Sequence, residues 1–276
     1  MKLENVEIVQ KIKDSDMVLV GLGKEFEPNL SEVLEHNPVY MQYKDDIDAL
    51  SENECAWIEY ACYYHELQQG NNPCIIDKIQ AMNRIQELIE GKNYFVVTTC
   101  ALDVIRYSKI RQDRMVAPCG TVLKMECSLG CKDDVYDSTE VLEKIYKKLE
   151  MMSSSGEFDK SYILSFIPIC EKCEGNMEIN QYTGMSYSEK AYLERWELYN
   201  KWLTGTMSKN LVLLELGVDF TTPTVIRWPF EKICLINNKA ILIRVNSKFA
   251  MLTPEISEKA MAVSKSSADF INELLN

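Results

Sequence analysis

Cys127-Ser128-Leu129-Gly130-Cys131 and Cys170-Glu171-Lys172-Cys173 put four thiols into two short knuckles on either side of a longer insert. Thiolates delivered as two close pairs match the closed tetrahedron of soft ligands that a structural Zn²⁺ takes. The first pair is spaced C-x-x-x-C, and the gap over residues 132–169 is longer than in an ordinary zinc ribbon, so four unrelated buried thiols stand as the alternative. Zinc ligation by Cys127, Cys131, Cys170 and Cys173 is the favoured reading, and it makes this part of the chain a small metal-anchored module.

The insert itself is expected to be helical. Asp137-Ser138-Thr139-Glu140 has the form of a capping box ahead of apolar Val141, Leu142, Ile145, Tyr146 and Leu149. Residues 151–156, with Ser153-Ser154-Ser155-Gly156, then read as a flexible turn. After the second knuckle, Tyr192, Trp196, Tyr199 and Trp202/Leu203 fall at helical spacing over residues 188–203.

Outside the module the chain alternates strands and helices. Met17-Val18-Leu19-Val20-Gly21-Leu22 is a short unbroken apolar run, as expected of a strand buried on both faces. Residues 94–99, 210–216 and 240–245 are three more of the same kind. Helices are expected at 4–14, at 54–68 (Trp57, Tyr60, Ala61, Tyr64, Gln68) and at 77–90, with a last one after Pro254 that places Ile256, Ala260, Val263, Ser267, Phe270/Ile271 and Leu274 on one stripe. Strands separated by helices cannot be joined as hairpins. The fold class is therefore α/β, a Rossmann-like parallel sheet with helices on both faces plus the four-cysteine module. The division is 1–120 with 205–276 as a discontinuous nucleotide-binding domain, and 121–204 as the zinc-binding and helical module.

With 276 residues, 46% hydrophobic and 26% charged, the composition is that of a globular chain. A formal charge of −12 without a Lys/Arg cluster argues against nucleic acid. No apolar run reaches the length of a membrane span, and Met1-Lys2-Leu3-Glu4-Asn5-Val6-Glu7 is too acidic to open a secretory signal, so no membrane partner and a cytoplasmic location are expected. In that compartment ten cysteines point to metal or free thiols rather than disulfides, and Cys55, Cys62, Cys74 and Cys234 read as small packed residues.

In open α/β sheets ligands bind beyond the carboxyl ends of the strands. Four loops qualify here: Gly21-Leu22-Gly23-Lys24, Cys100-Ala101-Leu102-Asp103, Gly217-Val218-Asp219 and Asn246-Ser247. Gly-x-Gly without a third glycine is a weak dinucleotide signal, since glycines also serve plain tight turns.

Taken together these segments resemble the sirtuins, NAD-dependent protein deacylases built from a Rossmann-type domain and a four-cysteine zinc module. Their G-A-G-x-S is similar to Gly21-Leu22-Gly23-Lys24-Glu25, and their T-Q-N-x-D to Thr98-Thr99-Cys100-Ala101-Leu102-Asp103. Their H-G-S/T, which stands eight residues before the first zinc cysteine, is similar to Cys119-Gly120-Thr121 ahead of Cys127. P-x-C-x-x-C-x-G matches residues 168–175, G-T-S is similar to Gly217-Val218-Asp219, and the late strand whose asparagine meets the nucleotide is similar to Ile243-Arg244-Val245-Asn246. The resemblance covers nearly the whole chain in the right order. It implies NAD or an ADP-ribose-type nucleotide held by Gly21, Gly23, Thr98, Cys100, Gly217 and Asn246, and an acyl-lysine or other protein substrate.

The departures fall where sirtuins do their chemistry. Cys119 stands where the family has its histidine base, and a thiol with a pKa of roughly 8.5 is mostly protonated at neutral pH. Cys100 stands for the asparagine, the aspartate is displaced by one residue to Asp103, Asp219 replaces the serine of G-T-S, and the family's G-I-P-D-F-R is absent after Gly23. His36 and His65 belong to earlier segments and read as structural. Two expectations follow: an NAD-using deacylase, ADP-ribosyl transferase or NAD hydrolase in which Cys119 or Asp103 takes over part of the histidine's role, or a catalytically inactive sirtuin-like module that senses a nucleotide or binds a protein. Buried inert thiols at Cys100 and Cys119 are the plainer reading of those two sites.

Overall fold

The computed structural model describes residues 3–154, 156–184 and 186–275; Met1, Lys2 and Ser155 of the expected serine turn lie outside that set. Its strands are β1 (Met17–Leu22), β2 (Asn93–Thr98), β3 (Met115–Val116), β4 (Gly120–Cys127), β5 (Val135–Asp137), β6 (Met177–Gln181), β7 (Leu211–Leu216), β8 (Ala240–Val245) and β9 (Ala260–Val263). Six form one sheet in the order β3-β2-β1-β7-β8-β9, parallel throughout. The other three form an antiparallel sheet in the order β5-β4-β6.

The apolar runs lack alternation because both faces of the large sheet are covered. Val18, Val20 and Leu22 of β1 join Val96, Leu214 and Ile243 in a core shared with Ile8, Ile58, Ile85 and Phe270 from the helices Leu3–Asp14, Glu52–Gln69, Pro73–Leu88 and Ser267–Leu275. Met17 and Leu19 point the other way, into a second core with Phe95, Leu213, Tyr199, Trp202 and Phe230. There the helices Leu193–Thr204 and Arg227–Ile236 close the sheet, the first through ring contacts of Tyr199 and Trp202 with Phe95. All six residues of β1 and of β7 are buried as a result. Each such aliphatic side chain stabilises the fold by roughly 1.5–3 kcal/mol through burial.

The helix ends are set by local chemistry. Ser51 and Glu54 form a reciprocal capping box ahead of Glu52–Gln69, and Gly70 closes it in the left-handed region at φ 66°. Pro73–Leu88 opens four residues before the expected start, because Asn72 accepts a bond from the Cys74 amide and Pro73 needs no donor at the first helical position. Trp57 in the first of these helices donates its indole N–H to the Met177 carbonyl at 3.0 Å, tying it to β6 of the small sheet. Cys62 and Cys234 are fully buried, as expected of packed thiols, while Cys55 and Cys74 are half-buried.

Three expectations are corrected. The stripe after Pro254 is not one helix: a 3-10 segment Pro254–Lys259 leads into β9, which pairs in parallel with β8, and the helix begins only at Ser267. The expected helix over 188–203 starts at Leu193, after a separate 3-10 turn Glu189–Ala191. The helix Thr139–Ser153 runs into the expected turn because Met152 is buried against the core, and its start is fixed by Asp137, whose carboxylate accepts from the Thr139 amide at 2.9 Å.

Candidate functional site

The two knuckles close on each other in space. Cys127 Sγ lies 3.5 Å from Cys173 Sγ and Cys131 Sγ lies 3.4 Å from Cys170 Sγ, with all four sulfurs within 4.8 Å of one another. A tetrahedron with Zn–S bonds of about 2.3 Å has sulfur–sulfur edges of about 3.8 Å, so the donor set fits Zn²⁺. The four thiols split in pairs: Cys170 is drawn down to about 6 by the N–H groups of Lys172 and Cys173 and Cys127 is held below its ordinary value by the N–H of Cys131, while Cys131, whose thiol shares a hydrogen bond with Cys170, is pushed up to about 12 and Cys173 is raised. Cys127 ends β4, and Cys170 donates its backbone N–H across the knuckle to the Gly175 carbonyl at 2.7 Å. The cluster thus pins one end of the small sheet.

The other expected residues gather at the carboxyl ends of β1, β2, β7 and β8. Gly21 answers to packing, since a Cβ there would sit 2.4 Å from Ile226 Cγ2 of the covering segment. Gly23 and Gly217 let two strand-end loops touch: a Cβ on Gly23 would lie 2.2 Å from the Gly217 carbonyl oxygen, and one on Gly217, at φ 64°, would lie 2.5 Å from Glu25 Cβ. Thr98 donates its hydroxyl to the Leu22 carbonyl at 3.1 Å and accepts the Cys100 amide at 3.1 Å. Asn246 donates to the Val218 carbonyl at 2.9 Å and accepts the amides of Lys248 and Phe249 at 2.8 Å each, which folds the loop after β8.

Cys100 and Cys119 are both buried and lie within the charge field of Lys24 and Glu27. The Cys100 thiol donates to the Gly23 carbonyl at 3.3 Å, and burial pushes its pKa well up. Cys119 Sγ lies 3.9 Å from the Thr222 hydroxyl, and burial pushes it up to about 11 against the opposing pull of Thr222. At neutral pH the Cys119 thiol therefore keeps its proton. Iodoacetamide at pH 7 is accordingly expected to spare Cys119 in the native protein and to label it after denaturation; fast native labelling, read by mass spectrometry, contradicts the buried geometry. Gly120, next in sequence, has φ 112° and no room for a side chain, a Cβ lying 2.3 Å from the Asn180 carbonyl.

Asp103 sits in the left-handed region at φ 56° with its side chain buried. One oxygen accepts from Arg106 Nε at 2.5 Å and the other from the Thr121 hydroxyl, so the carboxylate ties the loop after β2 to the start of β4. His65 is stacked on Tyr146 with ring centroids 3.7 Å apart, and burial lowers its pKa; His36 bonds through Nδ1 to the Glu32 carbonyl at 2.8 Å.

The residues that the sequence reading passed over are Glu25 and Glu27. Glu27 accepts from the amides of Ala101 at 2.5 Å and Leu102 at 3.2 Å and pairs with the Lys24 ammonium. Glu25 accepts from the amide and hydroxyl of Ser247 at 3.0 and 2.7 Å and from the amide of Ser267 at 2.8 Å. Burial alone raises the Glu25 carboxyl, but the Ser247 and Ser267 donors outweigh it and hold it below the ordinary value. A cavity of about 660 Å³ opens beside them, lined among others by Lys24, Asp77, Lys78 and Ser247.

No family model matches the chain. It is similar to a protein ADP-ribosyltransferase of Staphylococcus aureus (strain Mu50 / ATCC 700699), at 22% identity over 293 aligned residues, with 99% of this chain and 88% of that protein covered. A probable bifunctional ADP-ribose hydrolase/ADP-ribosyltransferase of Fusarium oxysporum f. sp. cubense is 28% identical over 166 residues, which covers 56% of this chain and only 26% of that protein. Among solved structures, Sir2Tm bound to a propionylated peptide superposes with a TM-score of 0.54 at 15% identity, over 100% of this chain and 98% of that one. A Sir2 homolog in complex with NAD superposes at 0.52 and 12% identity, over 98% and 92%. The chain therefore has the sirtuin fold, and the likeness drawn from its motifs is borne out at that level. Among the described residues no helix is long and apolar enough to cross a membrane.

Proposed function

We propose that the chain binds NAD or an ADP-ribose-type nucleotide at the carboxyl ends of β1, β2, β7 and β8, and that it works on the ADP-ribosyl-transfer side of sirtuin-like chemistry, with a structural Zn²⁺ on Cys127, Cys131, Cys170 and Cys173. The observation that carries this is the whole-chain similarity to a protein ADP-ribosyltransferase combined with a sirtuin fold. The cleft has the donors such a nucleotide needs in the N–H groups of Ala101, Leu102, Ser247 and Ser267, and Gly23, Thr98, Cys100, Gly217 and Asn246 shape the loops that present them. Bound NAD supplies an ADP-ribosyl group with nicotinamide as leaving group; an acyl-lysine peptide or another protein side chain is the acceptor.

Deacylation by the histidine route is disfavoured by the site. A thiol with its pKa pushed up to about 11 holds its proton at neutral pH and is a poor general base. One observation favours the second reading, a nucleotide-sensing or protein-binding module without turnover: Cys119, in the place of the family's base, is buried with its pKa raised. Calorimetric titration of zinc-loaded protein with ADP-ribose and NAD, paired with an assay for nicotinamide release with and without acyl-peptide, separates the two. Nucleotide binding with nicotinamide release is the expected result, a dependence on acyl-peptide telling an acyl-lysine acceptor from another side chain, and binding without release gives the second reading. If neither nucleotide binds and no nicotinamide is released, both nucleotide readings fall.

A further inference from the structure

Glu25 and Glu27 leave one short segment and end on N–H groups of two different strand-end loops, one beyond β2 and one beyond β8 with the first amide of the helix Ser267–Leu275. Those are the donors that a parallel sheet offers to ligand anions at this edge. A carboxylate makes the same charge-assisted bonds to them as a phosphate oxygen; Ala101, Leu102 and Ser267 are buried, so their amides are costly to leave without a partner, whereas Ser247 lies at the exposed rim. Here the chain provides the partner.

We propose that residues 24–27 are an internal plug, in which Glu25 and Glu27 hold the donors of the nucleotide cleft and a nucleotide enters by displacing them. The inference rests on the nucleotide reading above and concerns its regulation. Phe26, between the two glutamates, is 1% exposed, which anchors the segment's backbone. Displacement is thus a rotation of two side chains, and the cavity of about 660 Å³ that they border leaves room for it. Lys24, whose ammonium is paired with Glu27 and whose side chain is 41% exposed, is left to meet the incoming anion. The plug lowers the affinity of the resting protein for any ligand that needs these amides, because the ligand competes with a carboxylate tethered beside them.

The test is calorimetric titration of the zinc-loaded full chain with ADP-ribose and, separately, with inorganic pyrophosphate. It compares the parent with Glu25→Ala, Glu27→Ala and the double variant Glu25→Gln/Glu27→Gln. The plug predicts that ADP-ribose binds at least about tenfold more tightly to an alanine variant, and that pyrophosphate binding, absent in the parent, appears. Folded variants that bind both ligands no better than the parent overturn it. Pyrophosphate binding gained by the variants with no ADP-ribose binding in any of the proteins keeps the plug and removes the nucleotide reading. If the alanine variants do not fold, the double glutamine variant, which keeps one acceptor oxygen on each side chain and loses the charge, decides by the same two ligands.

Discussion

Cys173→Ser is expected to abolish metal retention and to unfold the small sheet, with a loss of stability approaching the whole of the protein's reserve. Among the four clustered cysteines Cys173 is the exposed one, whereas Cys127 and Cys170 are buried, so the substitution removes a ligand without opening the core. Structural zinc contributes roughly 10 kcal/mol of folding free energy in small Cys-ligated modules, against a net stability of about 5–15 kcal/mol for a whole domain. At that end of the small sheet the cluster is backed by the Trp57 bond to the Met177 carbonyl and by the Ser128 N–H bond to the Asn176 carbonyl. β5 has three residues, and β4 and β6 pair with a register shift between Gly120 and Met125. Loss of the cluster should therefore spread to the Trp57–Met177 contact and be visible in near-UV circular dichroism. Chelation of the parent should reproduce the effect, while Cys234→Ser, a buried thiol outside the cluster, should leave zinc content unchanged. If the chelated parent melts as before, with zinc shown by atomic absorption to be gone, the metal is not holding the module together.

The large sheet was legible because its information is local. β1, β2, β7 and β8 are each six residues long and mostly apolar, and their burial on both faces follows from that. The pieces that escaped are fixed by partners elsewhere. β3 has two residues and exists because it pairs with Val96 and Val97. Ala260-Met261-Ala262-Val263 continues the helical spacing set by Ile256, and only the open edge of β8 draws it into a strand. β4 lacks an alternating pattern, with Gly120 to Val122 and Glu126 to Cys127 buried and the three residues between them half-buried, so its strand character rests on pairing with β5 and β6.

The candidate site divides the same way. The four cysteines were readable because each pair is a local motif and the chemistry of zinc demands the other pair. Glu25 and Glu27 were not, although they stand directly after the quoted Gly-x-Gly, because the amides they bind lie 74 and 75 residues away for Glu27 and 222 and 242 for Glu25. The Gly-x-Gly pattern marks a turn without showing what the turn makes room for. Gly23 and Gly217 make room for each other's loops, a reason that no spacing rule contains.

Arg244→Met should cost about 3–5 kcal/mol, because it takes both short bonds from a buried carboxylate and leaves Glu215 only Arg227 Nη1 at 3.5 Å. Glu215 and Arg244 are each the fifth residue of a six-residue apolar strand, and they face each other in the parallel register of β7 and β8. The guanidinium binds Glu215 with two bonds of 2.7 and 2.8 Å, reaches Glu231 at 2.9 Å, and donates to the Met251 carbonyl at 2.8 Å. Arg227 completes the group, donating to the carbonyls of Phe249 and Met251 at 3.0 and 3.2 Å. Two positive and two negative side chains thus balance in a site where Arg244 and Glu215 are 0% and 1% exposed. For a chain of this size the single substitution should lower the melting temperature by roughly 10 °C. Glu215→Leu with Arg244→Met should recover part of that, since the pair is removed whole; Arg227 loses its 3.5 Å contact with Glu215 but keeps its two carbonyls and the Coulombic attraction of Glu231. A double variant no more stable than Arg244→Met would mean that the guanidinium matters for the loop over 247–251 rather than for Glu215. In that case the Asn246 bonds to Lys248 and Phe249 should fail with it, and nucleotide affinity should fall before the fold does.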